Sequence, residues 1–273
     1  MEIKVEDFNL EATLESGQVF GFTKDSRGRY EGVIFGTLVQ LYQDREFLSI
    51  EGNGSAVSEH SIRTYFDLDH NLTILYRLLC EDNHLRSIYH RLRGLRIIRQ
   101  EPWEALACFI ISSNNHIKRI QRIRRNLSQA FCRSEFRFPE ACDLVSSDER
   151  TLRELGLGYR APFLLSAAGY VSASPVNFNH IRETSYEQAK SELMNFPGVG
   201  EKVADCVLLF GFQKYEAFPV DIWILRAMRK LYFRGRKVSG EKVRAYGQKR
   251  WGLYAGYVQQ YLYYAAKSGM IKL

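Results

Sequence analysis

The sequence FPGVGEKVADC occupies residues 196–206, and PVD follows at residues 219–221. The proline favours the end of a preceding helix, and the residues after the second glycine resume a helical pattern, so a tight hairpin between two helices is predicted. We expect both glycines to adopt the positive φ that such a turn requires. Unpaired backbone N–H groups and the helix dipole favour an anion at this turn. The predicted phosphate-binding residues are Gly198, Val199 and Gly200.

Lys202 and Asp221 add two chemically active side chains to this stretch. Lys202 lies in the first turn of the second helix, where the helix dipole disfavours a positive charge and so favours the neutral, nucleophilic amine. Lysines of this kind form Schiff bases. Asp221 directly precedes another helical run and is predicted to cap it. Simpler alternatives remain open: a solvated lysine, an aspartate that only caps a helix, and a hairpin that binds no phosphate.

Four segments of the chain resemble the helix-hairpin-helix DNA glycosylases, and among them the 8-oxoguanine DNA glycosylase/lyase family. In chain order they are SGQ at 16–18, SSNN at 112–115, GLGYR at 156–160, and the hairpin with Lys202 and Asp221. They span nearly the whole chain. The resemblance implies an α+β fold, with an N-terminal antiparallel β-sheet domain of TBP-like type followed by two helical subdomains that carry the helix-hairpin-helix motif.

The same resemblance implies a bifunctional enzyme of base excision repair that acts on double-stranded DNA containing 8-oxoguanine. In the family, a lysine at the position of Lys202 attacks C1′ of the damaged nucleotide. An aspartate at the position of Asp221 supports the sugar cation and the proton transfers. The resulting Schiff base leads to strand cleavage at the abasic site.

Residues for reading the DNA are also implied by the resemblance. An enzyme that attacks C1′ within a duplex must extrude the base and fill the gap. Asn114 and Tyr159 are expected to fill it, and Arg119 and Arg160 to read the cytosine left opposite. Taken alone, SSNN is equally typical of a helix break, and GLGYR of a glycine-terminated helix end.

The lesion-base pocket implied by the family pattern consists of Gly17, Cys206, Gln259 and Tyr263. A glycine lets its neighbouring carbonyl approach the base, and 8-oxoguanine differs from guanine by a proton on N7. Cys206 lies one helical turn after Lys202 and would pack against one side of the base, with Tyr263 on the other. Gln259 can donate and accept at the Watson–Crick edge. The alternative for this aromatic C-terminal run is ordinary core packing.

Three positions depart from the family pattern. Trp223 occupies the place of a histidine expected to contact phosphate, His116 replaces a third consecutive asparagine, and Tyr263 replaces a phenylalanine. An indole carries no charge at the phosphate, so affinity or pH dependence is expected to differ from that of relatives with the histidine.

Patterning divides the chain into a sheet part and a helical part. Residues 18–52 alternate with period two, and the strands are predicted at 19–22, 30–35, 38–42 and 47–50. Long helical stretches dominate from residue 61, and one of them begins with a capping box of Ser185 and Gln188. We predict a sheet domain at residues 1–96 and a helical domain at residues 97–273.

Composition favours a nucleic-acid partner and argues against bound metals. The chain has 273 residues, 45% of them hydrophobic, and a formal net charge of +7, which favours a polyanionic partner. Five widely spaced cysteines without a Cys-x-x-Cys pair indicate free thiols in a reducing compartment. No cofactor or metal is expected, apart from an optional monovalent cation at the hairpin carbonyls. We expect a cytoplasmic, nucleoid-associated monomer without membrane contact.

Two other functions compete with this interpretation. An alkylated-base glycosylase of the same superfamily would use activated water and leave the strand intact, and Lys202 argues against it. A catalytically silent DNA-binding hairpin module would need neither the Lys202 and Asp221 pair nor the residues proposed to fill the gap.

Overall fold

The computed structural model describes residues 1–52, 57–134, 136–173 and 178–273 of the chain. The N-terminal part contains one antiparallel sheet of five strands in the order β1-β5-β4-β3-β2. The strands are β1 (Glu2–Lys4), β2 (Thr23–Lys24), β3 (Tyr30–Ile34), β4 (Thr37–Asp44) and β5 (Phe47–Gly52). The predicted α+β class with an N-terminal antiparallel sheet is confirmed.

Alternation along β3 and β4 explains why these segments form strands. Tyr30 and Ile34 on β3, and Val39 and Leu41 on β4, are buried on one face, whereas Glu31, Val33 and Gln40 are less buried. Tyr30 lies opposite Leu41 in the antiparallel register, so the buried side chains of neighbouring strands lie on the same face. The predicted strands at 30–35, 38–42 and 47–50 are confirmed.

The strand predicted at residues 19–22 is wrong. These residues form an irregular segment before the two-residue strand β2. Val19, Phe20 and Phe22 are all buried, so the alternation expected of a half-exposed strand is absent. Phe20 packs in one hydrophobic core while Val19 and Phe22 pack in another, so this segment crosses between the two cores.

Fifteen α-helices make up most of the rest of the described chain. Through the first two thirds they are α1 (Leu10–Glu15), α2 (Glu59–Tyr65), α3 (Thr73–Glu81), α4 (Arg86–Leu92), α5 (Pro102–Ser112), α6 (Ile117–Cys132), α7 (Ala141–Val145), α8 (Glu149–Leu152), α9 (Ala161–Ala173) and α10 (Phe178–Glu183). They continue with α11 (Tyr186–Leu193), α12 (Glu201–Phe212), α13 (Ile222–Tyr232), α14 (Gly240–Trp251) and α15 (Ala255–Lys267).

Local sequence signals set the ends of the helices that matter for the site. Ser185 and Gln188 form the predicted capping box at the start of α11. Asp221 caps α13 by accepting a hydrogen bond from the N–H of Ile224 at 2.8 Å, as predicted. Between these helices, α12 packs along α5, where the rings of Phe109 and Phe210 stack with centroids 5.4 Å apart.

Two hydrophobic cores lie under these elements. The smaller core is formed mainly by the sheet together with residues of α1 and α2. The larger core is helical, and it includes Leu75 and Leu79 of α3, Ile88 and Leu92 of α4, and Leu85 between the two helices. The division into domains at 1–96 and 97–273 stays a prediction.

A buried carboxylate joins the two parts of the chain. Asp67, only 4% exposed, accepts hydrogen bonds from the Arg99 guanidinium and from the Tyr215 hydroxyl, the latter at 2.5 Å. A buried charge needs this degree of pairing to offset its desolvation. In the described part of the chain, no helix is long and apolar enough to cross a membrane.

Candidate active site

The hairpin between α11 and α12 forms by a turn in which the Val199 N–H donates to the Phe196 carbonyl at 3.0 Å. Gly198 has φ +80°, as predicted, and a Cβ there would come within 2.6 Å of the Phe163 ring, so glycine is required. The same prediction for Gly200 is wrong: its φ is −95° with ψ −179°, an extended conformation open to any residue.

Gly200 has another local role, because it precedes the first residue of α12. No side chain caps this helix, so the N–H groups of its first turn have no side-chain acceptor. Val199 is buried in the helical core and anchors the turn beneath them. This arrangement is compatible with phosphate binding at the hairpin, which stays a prediction.

Lys202 extends from the first turn of α12 toward the end of α5. Its Nζ donates a hydrogen bond to Ser112 Oγ at 3.1 Å and lies 5.5 Å from the centroid of the Phe109 ring. The Ser112 hydroxyl in turn donates to the Phe109 carbonyl at 2.7 Å, so its oxygen is free to accept from the amine. Ser112 and Phe109 thus orient the amine, a role that the sequence did not assign to either residue.

Asp221 faces the same space from the start of α13. Burial raises the pKa of its carboxyl, while the hydrogen bond from the Ile224 N–H and the positive charge of Lys202 act in the opposite direction. Lys202 makes no ion pair with any described residue. The amine and the carboxylate are therefore close enough to interact electrostatically without being joined to each other.

A cavity of about 650 Å³ connects the two groups with the predicted base pocket. Its walls include nine of the residues singled out in the sequence: Gly17, Asn114, Gly198, Gly200, Lys202, Cys206, Asp221, Gln259 and Tyr263. Val199, Arg119, Tyr159 and Arg160 lie outside its lining. A cavity of this size is typical of sites that hold a small organic group.

Cys206 and Tyr263 line this cavity with side chains that are uncharged near neutral pH. Burial raises the pKa of the Cys206 thiol to about 12, so it does not compete with Lys202 as a nucleophile near neutral pH. Burial also raises the pKa of the Tyr263 phenol. Gly17 has φ +80°, and a Cβ there would come within 2.8 Å of Ile117 Cδ1 and 3.1 Å of Tyr263 Cε1, so a larger residue would intrude on the pocket wall.

Gln259 lines the cavity, and only one end of its amide is hydrogen-bonded. Its Nε2 donates to the Pro219 carbonyl at 2.9 Å, and since a carbonyl only accepts, the nitrogen must face Pro219. The Oε1 atom is buried and has no hydrogen-bond partner among the described residues. A buried acceptor without a partner costs free energy unless a ligand donor satisfies it.

The DNA-reading candidates meet at one edge of the cavity. Asn114 adopts a left-handed φ of 48° after α5, and its Nδ2 lies 3.4 Å from the Tyr159 hydroxyl, which donates to the Ser113 carbonyl. The Tyr159 side chain is exposed, although it is large and hydrophobic. An exposed ring beside an amide is the arrangement expected of residues that enter a base stack.

Arg160 is buried beneath this edge. Its Nε donates to the Ser113 carbonyl at 2.8 Å, its Nη2 to the Asn114 carbonyl at 3.0 Å, and its guanidinium lies 4.3 Å from the Tyr159 ring centroid. Burial lowers the pKa of Arg160. Arg119 reaches the same region, because its Nη2 donates to the Gly156 carbonyl at 3.4 Å. Much of the hydrogen-bonding capacity of Arg160 is thus used to hold the turn at 113–114.

Family models match nearly the whole chain. Residues 1–106 match the N-terminal domain of 8-oxoguanine DNA glycosylase, and residues 107–252 match the HhH-GPD superfamily of base excision DNA repair proteins. The chain belongs to the 8-oxoguanine DNA glycosylase family. The prediction of this family from the four sequence segments is confirmed.

Individual glycosylases of this family align over most of the chain. A probable N-glycosylase/DNA lyase of Methanothermobacter thermautotrophicus is 31% identical over 99% of this chain and 97% of its own length. The N-glycosylase/DNA lyase of Saccharomyces cerevisiae is 31% identical over 83% of this chain and 73% of its own. The crystal structure of Clostridium acetobutylicum 8-oxoguanine glycosylase/lyase, in complex with double-stranded DNA containing cytosine opposite 8-oxoguanine, has a TM-score of 0.91 at 32% identity, covering 98% of this chain and 94% of that one.

Two positions that depart from the family pattern have identifiable local roles here. His116 caps α6, because its Nδ1 accepts from the Arg119 N–H at 3.3 Å. Trp223 follows Asp221 in α13, lines the cavity and is partly exposed. An indole at this glycosylase cavity offers an aromatic surface where a histidine would offer a charge.

Proposed function

We propose that this protein removes 8-oxoguanine from duplex DNA and then cleaves the strand at the abasic site, with Lys202 as the nucleophile. The observation that carries the proposal is the approach of Lys202 and Asp221 from two helices to one cavity, without an ion pair between them. A nucleotide sugar between the two groups would have an amine near C1′ and a carboxylate near the cation that develops.

The steps follow from these positions. The neutral Nζ of Lys202 attacks C1′, and the glycosidic bond breaks with its electron pair leaving on the base, which takes up a proton. The Asp221 carboxylate stabilises the positive charge on the sugar while this bond breaks. Opening of the sugar ring converts the amine adduct to a Schiff base, and loss of a proton from C2′ then expels the 3′ phosphate by β-elimination.

The cavity also favours a guanine-type base. Gln259 lines the cavity and has an unpaired buried acceptor, and the Watson–Crick edge of guanine and 8-oxoguanine presents the N1–H and N2–H₂ donors that match an acceptor. Adenine presents an acceptor at N1 where guanine presents the N1–H donor, so its edge matches this oxygen less well. Gly17 lines the same cavity, which supports a role for its carbonyl in detecting the N7 proton of 8-oxoguanine.

Borohydride reduction tests this function directly. Wild-type protein is incubated with a duplex containing 8-oxoguanine, with an undamaged duplex and with a preformed abasic duplex, each in the presence of borohydride, and a covalent adduct is sought on a denaturing gel. We expect an adduct with the first and third duplexes. An adduct with the abasic duplex alone would exclude 8-oxoguanine excision. Base release without an adduct would indicate a monofunctional glycosylase. No reaction at all would indicate a DNA-binding module without catalytic activity.

A cytosine preference is the finer part of the proposal. Cytosine presents acceptors to the Arg119 and Arg160 guanidinium groups, whereas adenine presents a donor and leaves N–H groups unpaired at about 1–3 kcal/mol each. Excision opposite cytosine is expected to be faster than opposite adenine by roughly 10-fold or more. Single-turnover rates with all four opposite bases provide the measurement.

Variants of the two arginines identify which residue carries this preference. Arg119→Ala and Arg160→Ala are expected to reduce the cytosine-to-adenine rate ratio more than they weaken binding to undamaged DNA. The matched control is Arg122→Ala, which removes an exposed arginine from the same helix as Arg119. Equal wild-type rates opposite every base would show that cytosine is not read.

Binding to undamaged duplex is expected to weaken steeply with salt. The chain carries a net charge of +7, and each phosphate that it neutralises releases counterions. The affinity should fall by roughly 10²-fold between 50 and 200 mM monovalent salt if about four phosphates are contacted. Titrations by fluorescence anisotropy at four salt concentrations measure the slope, and a flat dependence would contradict a DNA-binding surface of this charge.

Monomeric action on nucleoid DNA in the cytoplasm is part of the same proposal. The five cysteines are free thiols in the structure, which supports a reducing compartment. Every chemical group that the proposed reaction uses comes from one chain, which supports a monomer. No cofactor or metal enters the proposed steps.

A further inference from the structure

The loop that carries Gly17 is held by three glutamines from three parts of the chain. Gln260 on α15 donates from Nε2 to the Ser16 carbonyl at 3.0 Å, and Gln100 donates from Nε2 to the Gln18 carbonyl at 2.8 Å. Gln18 is itself fully buried. We refer to Gln18, Gln100 and Gln260 as the glutamine clamp.

Gln18 uses both ends of its amide to bond with backbone outside this loop. Its Nε2 donates to the carbonyls of Thr13 at 3.0 Å and Arg96 at 2.8 Å, and its Oε1 accepts from the Ile98 N–H at 2.8 Å. The side chain therefore joins the end of α1 to the segment that leads into α5. Buried amides with all these bonds satisfied rigidify the backbone that they contact.

The carbonyl of Gly17 differs from those of its two neighbours. Ser16 and Gln18 each have a carbonyl that accepts from the clamp, whereas the carbonyl of Gly17 accepts no hydrogen bond from any described residue. Gly17 lines the cavity, and its φ of +80° lies in a region where glycine moves between conformations at little cost.

Fixing both neighbours of a peptide group fixes the group between them. Each peptide unit is planar, so the direction of the Gly17 carbonyl depends on the two dihedral angles beside it. The clamp holds the preceding and the following peptide units through bonds of 3.0 and 2.8 Å. Without either bond, the central carbonyl could change its direction while the loop remained in place.

Consecutive glutamines on α15 connect this loop to the catalytic side of the cavity. Gln259 donates to the Pro219 carbonyl, two residues before Asp221, and Gln260 donates to the Ser16 carbonyl. Both line the cavity and both are buried. One turn of α15 therefore sets the spacing between the catalytic aspartate and the Gly17 loop.

We propose that the glutamine clamp consists of positioning residues that aim the Gly17 carbonyl at N7 of the bound base, and so set the selectivity for 8-oxoguanine over guanine. This inference rests on the proposed function. A carbonyl held in this direction attracts the N7–H of 8-oxoguanine and repels the N7 lone pair of guanine. A carbonyl that is free to turn loses both effects, and the selectivity falls.

The test compares a reaction that reads the base with one that does not. Gln260→Leu and Gln100→Leu keep similar volume and remove the donor. We expect single-turnover excision of 8-oxoguanine to fall about 10-fold in each variant. Cleavage of a preformed abasic duplex contains no base to read, and its rate should fall at least five times less than that of excision.

A binding measurement isolates selectivity from chemistry. In a Lys202→Gln background, the ratio of the dissociation constants for guanine and 8-oxoguanine duplexes is expected to fall about 10-fold when Gln260→Leu or Gln100→Leu is added. The matched control is Gln43→Leu in the sheet, where the amide donates to the Phe8 and Arg45 carbonyls, both at 2.9 Å, away from the cavity. Gln43→Leu should lower the thermal midpoint of unfolding. It should leave unchanged both the ratio of excision to abasic cleavage and the ratio of the dissociation constants.

Each outcome bears on a separate claim. If folded clamp variants lose excision and abasic cleavage in proportion, or keep the wild-type binding ratio, the clamp has no role in selectivity. If only one of the two variants folds, that variant decides the result. Wild-type protein that fails to excise 8-oxoguanine, while still cleaving abasic DNA, would overturn the proposed function before any variant is compared.

Discussion

Lys202→Gln is expected to abolish base release and borohydride trapping while leaving the affinity for DNA within a few-fold of wild type. The amide is one atom shorter than the lysine side chain and keeps a hydrogen-bonding group on the side of Ser112, but it has no lone pair basic enough to attack carbon. Loss of a covalent nucleophile lowers the rate by roughly four orders of magnitude or more. Single-turnover excision, adduct formation and anisotropy titrations measure the three quantities.

Lys242→Gln is the matched control for this variant. Lys242 also lies in the first turn of a helix, α14, but it is exposed and outside the cavity. It should keep wild-type excision and trapping. Continued trapping by Lys202→Gln would show that another amine forms the Schiff base. If Lys202→Gln released the base at the wild-type rate without being trapped, the covalent mechanism would be excluded.

Asp221→Asn is expected to slow base release about 10²- to 10³-fold with little loss of binding. Asparagine caps a helix as well as aspartate, so α13 should begin at the same residue. The negative charge facing the sugar cation is lost. A rate equal to that of wild type would show that Asp221 serves only as the helix cap of α13.

The pH dependence of the same variant follows from the direction of the pKa shift. Burial raises the pKa of Asp221, so the carboxylate is lost as pH falls through a value above that of an ordinary aspartate. Loss of the carboxylate should therefore add to the decline of the wild-type rate of base release on the acid side, and Asp221→Asn should lack this added decline. A rate profile from pH 4 to 8 under single-turnover conditions makes the comparison.

Asp221→Asn is also expected to change the folding stability of the protein, in a direction set by the pKa shift of Asp221. Because the folded pKa of Asp221 is raised, folding favours the protonated form, and the stability that it contributes is present at low pH and lost as pH rises through the folded pKa. At neutral pH the neutral amide should therefore raise the thermal midpoint. Asp148 caps α8 in full solvent, and the hydrogen bond from the Thr151 N–H lowers its pKa. Asp148→Asn should shift the midpoint in the opposite direction and leave base release unchanged.

Features fixed by neighbouring residues could be predicted from the sequence. The capping box at Ser185, the cap at Asp221 and the turn at Gly198 each depend on contacts within a few residues. Gly200 shows the limit of such reasoning, because glycine permits a positive φ without requiring one. The hydrophobic residues of segment 19–22 resemble an alternating strand, but Phe20 packs in one core and Val19 and Phe22 pack in the other.

Contacts between distant residues could not be predicted in this way. Ser112 orients Lys202 from 90 positions away, and Gln260 holds Ser16 from 244 positions away. No pattern in the neighbouring sequence indicates either contact, because the fold of the whole chain brings the partners together. The resemblance supplied the positions of the pocket residues, but not the direction of the Gln259 amide or the bonds that hold Arg160.

The leucines of α3 and α4 have a consequence for how this protein loses its structure. They precede residue 97, yet they pack in the core that also contains α12 and α15. Asp67 adds a buried charge network across the same junction. A fragment that begins at residue 97 would expose to water the apolar side chains that pack against α3 and α4 in this core. Helices α3 and α4 therefore belong to the same cooperative unfolding unit as Lys202, and heating should melt them together in one transition.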